Sequence, residues 1–155
     1  MGSGKTVVGA LVALRSGAPF HDLDLMVEDR AGMPIADLFA TRSEAAFRTI
    51  ESELLPKALQ PGAVVALGGG TPVDDRNWEM IRAGAMTIYL QAAFDTIWSR
   101  ISGIANRPIA ARSTRGQLEA LLEQRRPRYA EADHTVDANR PLDDVAKEVL
   151  RLWSG

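Results

Sequence analysis

The sequence predicts an α/β fold built on a parallel sheet. Strand-like and helix-like stretches alternate along all 155 residues. A glycine-rich turn, Gly2-Ser3-Gly4-Lys5-Thr6, opens directly into an apolar helical run. A short apolar strand, Val64 to Leu67, ends in Gly68-Gly69-Gly70, and the carboxyl ends of strands are where open α/β sheets receive ligands.

The elements follow in order. A first helix is expected from Lys5 to Ser16, stopped by Gly17. A strand is expected at Pro19 to Asp24, then helices at Leu25 to Ala31 and Ile35 to Ala40. Ser43 caps a longer helix to Leu59, on which Phe47, Ile50, Leu54 and Ala58 recur at helical spacing. Pro56 should kink that helix or end it early. After Val64 to Leu67 come a helix at Asp75 to Ala83 stopped by Gly84, a strand at Met86 to Leu90 and a helix at Phe94 to Ser102. Residues 106–115 have no apolar period and read as a loop. Thr114 caps a helix carrying Leu118, Leu121 and Leu122, which Pro127 should end. Thr135 to Val136 is a last short strand, and Pro141 opens a terminal helix with Leu142, Val145, Val149 and Leu152 on one face.

The bulk numbers suit one domain, residues 1–155. Apolar residues make up 46% and charged residues 25%, an ordinary globular balance, and the net charge of −2 offers no basic surface for nucleic acid. There is no cysteine for disulfides or thiolate metal sites, and the two histidines, His21 and His134, lie far apart. No apolar run approaches the ~18 residues that span a bilayer. Gly2 with Thr6 fits an acylation pattern, and Val7 to Leu14 could pass for a short signal core. A phosphate loop accounts for the same residues better, and a cytoplasmic location is expected.

Gly2-Ser3-Gly4-Lys5-Thr6 is the second half of the phosphate-loop pattern G-x-x-x-x-G-K-[ST]. Glycines turn backbone N–H groups toward phosphate oxygens, and the helix N-terminus adds partial positive charge. Lys5 is then expected to reach the β- and γ-phosphates of ATP, and the Thr6 hydroxyl to meet Mg²⁺. The motif's first glycine and the strand before it have no counterpart in this sequence. Nor does Val64 to Leu67 end in an acidic residue. Asp22 and Asp24 are the candidates for a carboxylate near the metal, set by strand alternation on one face. Taken alone they could also be a strand end entering solvent.

Arg48, with Glu44 and Glu51 at helical spacing, could be a surface ladder worth little, and Arg125 an ordinary basic residue near a helix end. The triple glycine points instead to close approach by a ligand.

Together these residues carry a specific resemblance. Gly-Ser-Gly-Lys-Thr, Asp22-Leu23-Asp24, Phe47-Arg48 with Glu51, Gly68-Gly69-Gly70, Arg107-Pro108 and Arg125-x-Pro-x-Tyr129 stand in the order and spacing of shikimate kinases. The resemblance implies a three-layer α/β/α P-loop kinase that moves the γ-phosphate of ATP, with Mg²⁺, to the 3-hydroxyl of shikimate. It further implies that Asp24 holds the acceptor hydroxyl, that Arg48 and Arg125 grip the acceptor carboxylate, and that Gly68, Gly69 and Gly70 approach it closely. Phe39 and Phe47 would line its pocket within a helical region of about residues 25–59. Lys5 and Arg107 would act on the transferred phosphate, Arg107 from a lid at about residues 106–115. Thr6 and Asp22 would serve the metal, while Gly2, Ser3, Gly4 and Arg140 would contact nucleotide. Ser43 stands where the family has glycine, and Ile109-Ala110-Ala111 where it prefers leucines. A gluconate-type kinase and an inactive ligand-binding relic are the rival readings. A monomer acting on a small molecule is expected.

The family sheet has strand order 2-3-1-4-5, with strand 1 delivering the phosphate loop. Without strand 1, the strands at Pro19 and Val64 should pair together, as should those at Met86 and Thr135, leaving a slot one strand wide. Unpaired edges in such a slot are costly. The chain alone is therefore expected to be unstable with little kinase activity, and an added upstream apolar strand of ~8–10 residues to restore both.

Overall fold

The computed structural model describes residues 2–102 and 114–153. Helix α1 (Lys5–Ser16) leads into β1 (Phe20–Asp22), α2 (Leu23–Ala31), α3 (Ile35–Thr41) and α4 (Glu44–Ala58). Strand β2 (Val64–Ala66) is followed by a single 3₁₀ turn (Thr71–Val73) and α5 (Asp75–Gly84). Then come β3 (Ile88–Gln91), α6 (Phe94–Ile101), α7 (Arg115–Tyr129), β4 (His134–Asp137) and α8 (Leu142–Trp153).

The strands form two separate parallel pairs. Phe20, His21 and Asp22 of β1 lie opposite Val64, Val65 and Ala66 of β2. Ile88 to Gln91 of β3 run beside His134 to Asp137 of β4. No strand among the described residues joins β2 to β3, and an apolar cleft of about 260 Å³ lies between them. This is the pairing, and the slot, that the sequence leads one to expect.

Two cores flank the sheet. Val64 packs with Val8 and Val12 of α1 and with Val145 and Val149 of α8. The next residue, Val65, packs on the opposite side with Leu54 and Leu55 of α4 and Trp78 and Ile81 of α5. Successive strand residues point to opposite faces, so α1 and α8 cover one face and α4 and α5 the other. A third cluster gathers Ile97 and Ile101 of α6 with Leu118 of α7 beneath the loop after β4. No helix among the described residues is long and apolar enough to cross a membrane.

Several boundaries differ from expectation for identifiable reasons. The strand expected to reach Asp24 ends at Asp22, because the Asp22 carboxylate accepts from the Asp24 and Leu25 N–H groups and starts α2 there. Pro56 does not stop α4 short. It lies exposed in the last turn, where it forgoes one bond, while Leu55 and Ala58 are wholly buried and hold the turn. Pro127 likewise lies within α7, which continues to Tyr129. Gly84 is the last residue of α5 rather than its stop. Thr114 caps α7 as expected, in a capping box with Gln117.

Candidate active site

The site forms where α1 begins and β1 and β2 end. Gly4 caps α1 with φ 93°, a left-handed conformation that only glycine adopts freely. From the first turn of α1, the Thr6 hydroxyl donates to Asp22 Oδ2 at 2.6 Å. Beside it, Lys5 Nζ lies 3.7 Å from Asp24 Oδ2. The two acids expected from strand alternation do converge on this loop, by a different route. Asp22 is the helix cap and Asp24 sits in the first turn of α2, so a β-to-α junction aims them.

The loop after β2 meets the same acids. A Cβ on Gly68 would fall 2.8 Å from Asp24 Oδ1 and 3.1 Å from both Glu51 Oε1 and Thr71 Oγ1. One on Gly70 would fall 2.6 Å from the guanidinium carbon of Arg48. Glycine is required at 68 and 70 because Asp24, Glu51 and Thr71 crowd the first and Arg48 the second.

Arg48 projects from α4 over the Phe47 ring at 5.0 Å. Its Nη1 donates to Glu51 at 2.9 Å and its Nη2 to Glu44 at 3.1 Å. Burial acts against its charge, but Glu51 and Glu44 outweigh that and hold its pKa above the ordinary arginine value. The surface-ladder reading thus describes Glu44 only. Glu51 is wholly buried and accepts from the Thr71 hydroxyl at 2.5 Å. Phe39 meets Phe47 edge-to-face at 5.1 Å and closes the α3–α4 side.

Arg125 and Arg48 approach from opposite elements. Both lie near enough to Tyr129 to favour its ionised form, yet burial dominates and its pKa stands above 10. The Tyr129 hydroxyl donates to the Gly69 carbonyl at 2.6 Å. Arg125 makes no ion pair with a carboxylate among the described residues.

Arg140 pairs with Glu148 and donates to the Asp137 carbonyl at 3.3 Å. The arginine that touches the phosphate loop is Arg100 of α6. Its guanidinium donates to the carbonyls of Gly2 at 3.4 Å and Ser3 at 3.3 Å, and also to Ala138 at 3.0 Å. Arg107 and most of the expected lid lie outside the described residues.

Thr71 and Arg100 are the residues that sequence reasoning misses. Thr71 stands directly after the triple glycine, which is a usable signal. Arg100 ends an ordinary amphipathic helix and carries none.

A hydroxyl beside a carboxylate at the end of a phosphate loop suits Mg²⁺, which binds through few protein oxygens and leaves the rest to phosphate and water. The fold and this arrangement define a P-loop phosphotransferase acting on a small molecule.

Comparison with known proteins carries this further. A family model described as Shikimate kinase matches residues 1–153. The Salinibacter ruber shikimate kinase is 39% identical over 98% of this chain and 80% of its own length. That of Rhizobium meliloti is 40% identical over 97% and 77%. The Acinetobacter baumannii shikimate kinase, solved in complex with shikimate, superposes with a TM-score of 0.93 at 31% identity, covering 99% of this chain and 88% of that one. The chain belongs to the shikimate kinase family.

Proposed function

We propose that the chain transfers the γ-phosphoryl group of ATP to the 3-hydroxyl of shikimate, giving shikimate 3-phosphate in aromatic amino-acid (chorismate) biosynthesis. One observation carries the assignment: Lys5, Thr6, Asp22 and Asp24 meet beside a triple glycine against which the Arg48 guanidinium lies.

Each residue then has a task. Gly2, Ser3 and Gly4 direct backbone N–H groups at phosphate oxygens, and Lys5 sets its ammonium among them. Thr6 and Asp22 would hold Mg²⁺ or its water, and the ion would neutralise phosphate charge. Arg48 and Arg125 suit a two-pronged grip on the acceptor carboxylate. Gly68 to Gly70 would approach the acceptor through their backbone, and Phe39 and Phe47 would wall its pocket. Asp24 orients the acceptor hydroxyl and takes its proton as the new P–O bond forms and the bond to the departing ADP breaks. Lys5, 3.7 Å away, helps to hold that carboxylate in place. Arg107 would add charge from the lid. Arg140, paired with Glu148, would lie against the nucleotide.

A cytoplasmic monomer fits a nucleotide-dependent enzyme with no cysteine. Calorimetric titration with shikimate and with gluconate, followed by ADP release and mass analysis of the product, tests the assignment. Saturable shikimate binding and a singly phosphorylated shikimate are expected. Preference for gluconate would overturn it.

A further inference from the structure

We propose that Thr71 is a positioning residue for the acceptor carboxylate: acting through the buried Glu51, its hydroxyl sets the orientation of the Arg48 guanidinium. The inference rests on the reading of shikimate as the acceptor. Thr71 and Glu51 are both wholly buried, and the Thr71 hydroxyl donates to Glu51 Oε1 at 2.5 Å. The other oxygen, Oε2, accepts from Arg48 Nη1 at 2.9 Å. One carboxylate thus takes a neutral donor from the turn after the triple glycine and a charged donor from α4.

The Thr71 bond does two things that the Arg48 bond cannot do alone. A buried carboxylate needs donors on both oxygens, because an interior charge short of hydrogen bonds is costly. The last torsion of a glutamate side chain is also broad. A single bond from Arg48 would leave the carboxylate plane free to turn, and the guanidinium with it. Thr71 supplies a stiff anchor: its side chain is β-branched, and its backbone N–H donates to the Gly68 carbonyl at 3.2 Å. With Oε1 held there, Oε2 fixes Nη1, and the Phe47 ring at 5.0 Å sets the face of the guanidinium. A planar fork grips a carboxylate with two prongs only when it is aimed.

The place of the hydroxyl gives it a bearing on the ligand as well as on packing. A Cβ on Gly68 would stand 3.1 Å from both Thr71 Oγ1 and Glu51 Oε1, and 2.8 Å from Asp24 Oδ1. Two carboxylates therefore converge on one glycine, and like charges so placed repel. The Glu51 oxygen beside that glycine is the one that Thr71 covers with its proton, while the other oxygen faces Arg48. Thr71 thus stands between the carboxylate assigned to the acceptor hydroxyl and the guanidinium assigned to the acceptor carboxylate. Its loss should fall on ligands that carry the carboxylate and spare those that lack it.

The test uses the full chain. Thr71→Val keeps the shape and removes the donor, whereas Thr71→Ser keeps the donor. Each is titrated calorimetrically with shikimate and with the analogue whose carboxylate is reduced to a hydroxymethyl group. Thr71→Val should weaken shikimate about ten-fold, the change that ~1.4 kcal/mol makes, and leave the analogue's affinity unchanged. Thr71→Ser should bind shikimate as the parent does. In an Arg48→Lys background, adding Thr71→Val should cost less than about two-fold, because its effect runs through the fork. Should Thr71→Val not fold, Thr71→Cys takes its place: a thiol is a weak donor, and an intermediate loss is expected. A ligand-free measurement separates this proposal from the acceptor assignment. The side-chain N–H resonances of Arg48 should be resolved in the parent and averaged by rotation in Thr71→Val. A parent that binds no shikimate while these resonances still respond overturns the acceptor and leaves the Thr71–Glu51–Arg48 relay standing. The proposal itself is overturned if the Arg48 resonances do not change, or if the variant lacking the donor binds shikimate as tightly as the parent. It is equally overturned if shikimate and the analogue weaken alike, or if Thr71→Ser fails to restore binding, since Thr71 would then serve packing alone.

Discussion

The Tyr129 hydroxyl donates to the Gly69 carbonyl at 2.6 Å and so ties the end of α7 to the middle of the triple-glycine loop. The bond joins the helix that carries Arg125 to the loop against which Arg48 lies. It fixes the spacing between the two arginines proposed to share one carboxylate.

Tyr129→Phe keeps the ring and removes the donor. It should cost about 1 kcal/mol of stability and raise KM for shikimate more than it lowers kcat. A pH dependence reports the burial of the neutral hydroxyl. Burial raises the tyrosine pKa above 10, so the neutral donor form is favoured in the folded state. That contribution is complete below pH 10 and fades as pH rises through the folded pKa. Thermal melts should show the parent losing stability above pH 10 more steeply than Tyr129→Phe. Identical slopes would show that the hydroxyl is not buried in its neutral form, and an unchanged KM for shikimate would remove Tyr129 from this role.

Arg48→Lys should weaken shikimate binding while sparing ATP. Lysine loses the fork that spans Glu51, Glu44 and the ligand. The loss of a charge-assisted bond costs ~1.5–3 kcal/mol, roughly ten- to a hundred-fold in affinity. Titration of both ligands checks it, and unchanged shikimate affinity would take Arg48 out of the acceptor site.

Ser43 has φ 115° and ψ 163°, a region adopted almost only by glycine. Its hydroxyl partly compensates by accepting from Ala46 N–H at 3.3 Å. Ser43→Gly relieves roughly 1 kcal/mol or more of backbone strain and forfeits only a few tenths of a kcal/mol of capping. The substitution should therefore raise Tm by about 2–4 °C. A fall in Tm would show that the cap matters more than the strain.

What the sequence makes legible here divides along physical lines. Local chemistry can be read: the phosphate loop, the caps at Ser43 and Thr114, the glycines at Gly68 to Gly70. The half-sheet pairing can be read as well, because each apolar strand needs a parallel partner and the family order fixes which one. The aim of Asp22 and Asp24 cannot be read from alternation, since a carboxylate that caps a helix ends its strand at its own position. Glu51 and Glu44 look alike as helical neighbours of Arg48. Only the fold, by setting Thr71 above α4, buries one and exposes the other. Arg100 reaches Gly2 and Ser3 across nearly a hundred residues of chain, a contact that no local pattern announces.

The last prediction concerns Asp24, whose carboxylate lies 3.7 Å from Lys5 Nζ and against the backbone of Gly68. A proton acceptor must sit within reach of the acceptor hydroxyl. Asp24→Asn preserves shape and removes the base. In a chain that turns over, it should bind both substrates yet lose ~10²–10⁴-fold in kcat. Asp22→Asn removes the acceptor of the Thr6 hydroxyl bond and a capping carboxylate. It should raise the Mg²⁺ concentration needed for half-maximal rate, and cost some stability through the cap. The two variants therefore separate under a magnesium titration: added Mg²⁺ should recover part of the Asp22→Asn rate and none of the Asp24→Asn rate. Recovery of both, or of neither, would mean that the two carboxylates do not divide the work between metal and proton.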